Sequence, residues 1–418
     1  MRAQKCKGTR DLMPGEMNRF RLIEGVFRDR CIKWGYEEVR TPVIEYLYLF
    51  TSAGTLTPGR LRKVYSFLDW DGWSGERVVL RPDVTIPIAR LYIETMADKE
   101  LARLFYVSNV FSFEGTGREA REKWQCGAEI IGAGSMAADV ELIALALEVL
   151  KKLGLKGGVA KLSHAGLIRA LLAEFGLDHE KQTQVFDHVL DGDMELLAQL
   201  RPERPELGTT LAALLDLKGK SSGFLKNLRA LVERDLPGLK VPFDSFINLV
   251  DCLESIGCNY QVDITSGRGF EYYTGLMFQL FADEIQVGGG GRYDALIPLL
   301  GGTDTPASGF ALDIDHLMNL LDTDAIADSS AKRILVKTSL KEAGAFKRVA
   351  DMAACLRDAG YPAEIHLGGK EPDDIKWLLE VRARAPRYTL ISRTTRQRCE
   401  AETESEVLAF LNKSKRGQ

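Results

Sequence analysis

Polar and apolar positions alternate most clearly along residues 105–132, FYVSNVFSFEGTGREAREKWQCGAEIIG. The pattern predicts a strand, a charged turn and a second strand. Period two places Tyr106, Ser108, Val110, Ser112 and Glu114 on one face of the first strand. It places Gln125, Gly127, Glu129 and Ile131 on one face of the second. Gly127 leaves a gap between an amide and a carboxylate, which suits a small polar ligand lying close on the sheet. An ordinary hairpin with one solvated face is the plainer alternative.

Elsewhere the periodicity changes. Residues 16–34 carry Phe20, Ile23, Phe27, Cys31 and Trp34 at helical spacing, and Gly35 is placed to stop that helix. A strand is expected over Tyr36–Val43, with Pro42 breaking its far end. Short strands are expected at Tyr65–Asp69 and Val78–Leu80. Ser135–Leu153 reads as a helix with Ser135 as N-cap and Gly154 as stop, and Lys161–His164 as a strand. Residues 165–256 are almost wholly helical in pattern. Strands follow at Asn259–Ile264, within Arg268–Phe281, and from Ile285 into GGGGRYD, while Ala311–Leu321 reads as a helix. The four glycines lack a following GK[ST] and do not form a strand–GxGxxG–helix unit. They read as a tight strand whose backbone a ligand can approach.

Asp322–Ala331 is polar and short-chained, a linker. Beyond it, strands at Ile334–Val336, Tyr361–His366 and Tyr388–Ile391 alternate with helices at Glu342–Leu356, Asp373–Arg384 and Glu404–Leu411. That alternation predicts a small parallel sheet.

Composition narrows the function classes. A chain of 418 residues is long for one core. A net charge of -4 gives no general basic field for nucleic acid. Seven scattered cysteines form no CxxC pair, so a metal knuckle or disulfide framework is not expected and a reducing cytoplasm fits. Five histidines show no ligand spacing. No run is apolar and long enough to span a bilayer. The amino terminus has no signal-peptide apolar core.

The order GTRD, RPDVT, FSFEGTGREAREKWQCGAEIIG, RGFEYYTG, GGGGRYDAL and SGFALDIDHL resembles the catalytic core of histidyl-tRNA synthetases over roughly residues 5–322. The resemblance implies an α+β fold, a class II synthetase-like antiparallel sheet flanked by helices. The core would comprise 1–164 and 257–322, with a helical insertion at 165–256. A small α/β domain resembling an anticodon-binding domain would occupy 333–418. In that family, the positions of Asp83, Thr85 and Gln125 hold the ammonium of bound histidine. Asp83 stands where glutamate is usual. Glu129 and Tyr273 match positions around the imidazole, Arg268 the carboxylate and reacting phosphate, and Tyr293 the pocket wall. Each charged end of a buried ligand requires its own partner.

The synthetases also place two arginines on the phosphates of ATP. Ser112 and His316 occupy those positions here, with Asp313 replacing a glycine, while Arg118 and Arg121 remain in the turn. Loss of one such arginine costs about 10³ or more in phosphoryl chemistry. A chain that keeps the amino-acid contacts and lacks the phosphate contacts resembles the ATP phosphoribosyltransferase regulatory subunits. That resemblance implies a non-catalytic chain without a cofactor or metal. It would bind L-histidine and pair with the short-form catalytic subunit, as a homodimer within a hetero-octamer. Many such subunits end near the close of the core, whereas this chain continues. The alternatives are a histidine–tRNA ligase using ATP and Mg²⁺, and a tRNA-binding or signalling pseudo-synthetase; tRNA binding is not expected on the overall charge.

Overall fold

The structure is a computed structural model. It describes residues 3–53, 61–69, 75–113, 120–178, 181–182, 185, 218–219, 221–232, 236–264, 273–321, 333–339, 343–373 and 375–416. Glu114, Arg118, Arg268, the linker at 322–331 and the middle of the 165–256 segment lie outside these residues. The chain divides into two compact units, Met1–Leu321 and Asp322–Gln418.

The first unit opens with α1 (Pro14–Lys33), β1 (Glu37–Glu38), β2 (Ile44–Tyr46), α2 (Leu47–Ser52), β3 (Ser66–Leu68) and β4 (Arg77–Leu80). Next come α3 (Thr85–Thr95), β5 (Ala102–Phe111), β6 (Glu122–Ile131), α4 (Met136–Lys152), β7 (Val159–His164) and α5 (Ala165–Glu174). It continues through β8 (Lys218–Gly219), α6 (Ser222–Val232), α7 (Lys240–Ser255), β9 (Tyr260–Asp263), β10 (Leu276–Ala282) and β11 (Ile285–Arg292). A short α8 (Leu296–Leu299), β12 (Ala307–Asp313) and α9 (Ile314–Leu320) complete it. Nine strands form one sheet in the order β1-β5-β6-β12-β11-β10-β7-β9-β8, and β2-β4-β3 form a small second sheet. The large sheet is antiparallel apart from β1 against β5 and β7 against β9.

Period two sorts the two faces of this sheet. Phe105, Val107, Cys126, Ala128, Phe310 and Leu312 bury with the apolar stripe of α1 (Phe20, Ile23, Phe27, Cys31) and with α4. On the other face Leu104, Tyr106, Ile131 and Ala307 bury with Ile86, Ile88 and Ala89 of α3. The described helices from 165–256, α5, α6 and α7, join the first of these cores through Leu171, Leu225 and Phe246. Gly35 takes a φ of 83° just past α1, a conformation glycine adopts without a Cβ penalty.

Two expectations in this unit change. The strand over Tyr36–Val43 shrinks to Glu37–Glu38, with Val39 still donating its N–H to Phe105 O at 2.9 Å, and Pro42 further on has no N–H to give. Beyond it the Arg81 side chain bridges the gap. Its Nε donates to Asn109 O at 2.9 Å, and its Nη1 to Thr41 O at 2.9 Å and Pro42 O at 3.0 Å. The helix expected over Ala311–Leu321 begins only at Ile314. Ala311 and Leu312 are good helix formers, but they are paired in the ladder with Gly127 and Cys126. Asp313 then caps the helix, accepting the His316 N–H at 3.0 Å.

The second unit contains β13 (Ile334–Thr338), α10 (Ala343–Asp358), β14 (Ala363–Ile365), β15 (Trp377–Val381), β16 (Tyr388–Ser392), β17 (Arg398–Ala401) and α11 (Glu404–Arg416). The helix expected over Asp373–Arg384 is instead β15. Lys, Leu, Glu and Arg there favour a helix locally, but Leu379 and Val381 bury at period two in the sheet. The sheet, ordered β14-β13-β15-β16-β17, is therefore mixed. β13 runs parallel to β14 and β15, while β16 and β17 run antiparallel.

Candidate functional site

The site lies on the α3-bearing face of the large sheet. In register, Ser108 pairs with Gln125, Tyr106 with Gly127 and Leu104 with Glu129. On the other side of β6, Asp313 pairs with Gln125, Ala311 with Gly127 and Gly309 with Glu129. Gln125, Gly127 and Glu129 thus form a row that β5 and β12 flank.

At one end of the row the polar groups satisfy one another. Glu129 is 1% exposed. Its Oε1 accepts the Thr85 hydroxyl at 2.9 Å, and its Oε2 accepts the Tyr293 hydroxyl. Burial pushes its carboxyl up to about 8, against the pull of those two hydrogen bonds, and nearby Asp83 adds to the rise. Gly309 makes this packing possible: a Cβ there would collide with the Glu129 carboxylate and the Tyr293 hydroxyl. Tyr273 lays its ring over Gly291 in the same manner.

Gly127 does not leave the open gap its place in the sequence suggested. The Tyr106 ring fills it, and a Cβ at Gly127 would strike the phenol. Tyr106 is buried and hydrogen-bonded to Thr85, and burial raises its hydroxyl well above the ordinary range. The hairpin register was the signal that could have found this residue, since it sets Tyr106 directly opposite the glycine.

Asp83 has a local task as well. Its Oδ1 accepts the Ile86 N–H at 2.9 Å at the start of α3. A buried network steadies the neighbouring loop. Arg292 donates from Nε and Nη2 to the two oxygens of Asp139, at 3.1 and 2.8 Å, and from Nη1 to Asp294 at 3.1 Å. Asp294 in turn takes the Ala307 N–H at 3.0 Å and gives its own N–H to the Thr274 hydroxyl at 3.0 Å. This network sets Tyr293, which lies between Arg292 and Asp294, and Tyr273, which precedes Thr274.

The other end of the row opens into a cavity of about 290 Å³. Its walls are Gln125, Tyr273, Met277, Phe278, Gln279, Gln286, Ala311 and Asp313, with the backbone of Gly288–Gly290. No lysine, arginine or histidine is among the described residues lining it. Gln279, Gln286 and Asp313 were not among the expected ligand contacts. Their sequence positions carry no motif, and only the sheet order brings them to Gln125.

The expected residues therefore divide. Thr85, Glu129 and Tyr293 are bonded together with Asp83 close by, Gln125 and Tyr273 line the cavity, and Arg268 is outside the described residues. Ser112 is half-buried just past β5 and donates its N–H to Arg121 O at 3.0 Å. Arg121 packs its side chain on Gly8 and over the Phe113 ring. His316 is half exposed on α9, with Nδ1 3.1 Å from Gln286 O. Among the described residues, no cluster of His, Cys, Asp and Glu is arranged to hold a metal ion, and no helix is long and apolar enough to cross a membrane.

A profile of the family described as histidyl-tRNA synthetase matches residues 8–317. An ATP phosphoribosyltransferase regulatory subunit from Dehalococcoides mccartyi is 49% identical over 98% of each chain, so the similarity extends through the carboxy-terminal unit. A histidine–tRNA ligase from Archaeoglobus fulgidus is 33% identical over 88% of this chain and 87% of its own. Among solved structures, a Bacillus halodurans protein described as an ATP phosphoribosyltransferase regulatory subunit/histidyl-tRNA synthetase superposes with a TM-score of 0.75 at 25% identity, over 89% of this chain and 94% of that one. A Nostoc histidyl-tRNA synthetase shares the fold, with a TM-score of 0.78 at 15% identity over 99% of this chain.

Proposed function

The chain belongs to the ATP phosphoribosyltransferase regulatory subunits, which carry a histidyl-tRNA synthetase fold, and from that premise we propose that it senses L-histidine on the α3-bearing face of its large sheet. It is a regulatory, non-catalytic chain. Its partner is the catalytic subunit of the phosphoribosyltransferase, in the short form. Histidine binding carries feedback inhibition to that partner, in an assembly of a homodimer within a hetero-octamer.

The observation that carries the reading is the contrast along β6. At one end Glu129, which matches an imidazole contact, is buried and bonded to the part-buried Thr85 and the buried Tyr293. The end where the synthetases grip phosphate has Ser112 and His316, neither of which is a permanent cation. Asp83, Thr85, Gln125, Glu129, Arg268, Tyr273 and Tyr293 form the effector site. Charge-assisted bonds of about 1.5–3 kcal/mol each suffice for micromolar affinity after the cost of immobilising the ligand.

The test is co-expression with the short catalytic chain of the same cell, followed by sizing and an activity assay with and without L-histidine. The reading expects a stable complex whose activity falls on adding histidine, and calorimetric heat for histidine on the regulatory chain alone. A histidine–tRNA ligase is the competing reading, favoured by the Archaeoglobus similarity. Histidine-dependent exchange of pyrophosphate into ATP would decide for it.

A further inference from the structure

Asp313 ends β12 directly opposite Gln125, on the face that carries the cavity. Its side chain is one-quarter exposed. One oxygen caps α9 through the His316 N–H. The other lies 3.6 Å from His316 Nδ1, which is itself 3.1 Å from the Gln286 carbonyl. A nitrogen facing a carbonyl oxygen must carry the proton, so Nδ1–H is committed to Gln286. Among the described residues no lysine or arginine is bonded to Asp313. Its neighbour Asp315 differs, being paired with Arg10 and accepting the Trp124 N–H at 3.0 Å.

The cavity wall thus holds a carboxylate with acceptor capacity to spare, beside the Gln125, Gln279 and Gln286 amides. Asp313 is the only carboxylate, and no lysine, arginine or histidine accompanies it, among the described residues of this lining, so the local field favours a cation. We propose that Asp313 is the counter-ion for the ligand's ammonium group, acting with Gln125, and that it makes the cavity selective for amines over isosteric hydroxy acids. The proposal rests on the histidine reading above and adds to it a residue that sets specificity.

A charge-assisted bond to a partly exposed carboxylate corresponds to about tenfold in affinity. Asp313→Asn preserves the cap, because asparagine accepts the same N–H. Full-length protein is titrated by calorimetry with L-histidine and with L-imidazolelactate, in which a hydroxyl replaces the ammonium. Wild type is expected to prefer histidine by at least about tenfold. Asp313→Asn is expected to lose about tenfold for histidine and little for the hydroxy acid, while Asp313→Glu recovers part of the preference. An unchanged preference in Asp313→Asn overturns the role of Asp313 and leaves the histidine reading standing. Absence of heat with either ligand on wild type overturns both.

Discussion

Gln125 and Glu129 share a strand face with one glycine-bearing position between them, yet their surroundings differ. Glu129 sits in a closed cluster where every polar group meets another protein group, and its carboxyl holds a proton to about pH 8. Gln125 faces an open cavity whose carboxylate, Asp313, has no arginine or lysine partner among the described residues. The Tyr106 ring on Gly127 divides the two. The difference teaches that one sheet face can carry a rigid, pre-bonded wall and a receptive mouth within four residues of one strand. Recognition at the closed end requires a ligand group that replaces a hydrogen bond already made. At the open end, it requires only displacement of water.

The sharpest way to break this comparison is pH. Glu129 has a carboxyl raised from 4.5 to about 8 in the folded chain. Between those values the folded state holds a proton that the unfolded chain has released. The stabilisation is therefore complete below pH 4.5 and is lost as pH rises through 8, a swing on the order of 5 kcal/mol. Glu129→Gln should flatten that part of the stability profile, seen as the difference in hydrogen exchange of the β6 amides across pH. A slope identical to wild type would contradict a closed, neutral Glu129. The same variant should weaken histidine binding, because an amide, unlike the carboxyl, cannot ionise when the imidazole approaches.

Next in size, Arg292→Met should destabilise the first unit by about 3–5 kcal/mol, because it strands the buried Asp139 carboxylate. Denaturant unfolding of the full chain measures this, and a loss below 1 kcal/mol would mean that the network does not anchor the Tyr273–Tyr293 region. Gly309→Ala should cost about 1–3 kcal/mol by driving a Cβ into Glu129 and Tyr293, and should also abolish the heat of histidine binding. The smallest effect belongs to the open end. Asp313→Asn should leave stability within about 0.5 kcal/mol, since the cap persists; a larger loss would place Asp313 with the closed cluster.

Much of this was legible in the chain. The two-faced hairpin followed from alternation alone, and Phe20, Ile23, Phe27 and Cys31 marked the buried stripe of α1. What escaped was whatever depends on register or on distant partners. Gly127 announced a gap but not that Tyr106 would occupy it. Asp313 falls within the expected helix, whereas Gly127, Cys126 and Gln125 hold Ala311, Leu312 and Asp313 extended. Trp377–Val381 falls in the helix expected over Asp373–Arg384, where lysine, leucine, glutamate and arginine favour a helix locally and the alternation is only five residues long.

Arg81 carries a consequence beyond its hydrogen bonds. It is 2% exposed, and among the described residues its side chain is hydrogen-bonded to neutral oxygens, those of Thr41, Pro42 and Asn109. Stretches remote in the chain converge on one guanidinium, which does across that seam what a row of amides does elsewhere. One substitution removes all of those side-chain bonds at once and leaves the main-chain bonds, Arg81 N–H to Val43 O at 2.9 Å and Phe111 N–H to Arg81 O at 3.0 Å. The small sheet and the stretch bearing Asp83 and Thr85 are thus pinned to β5 at one residue, by its side chain and its main chain together.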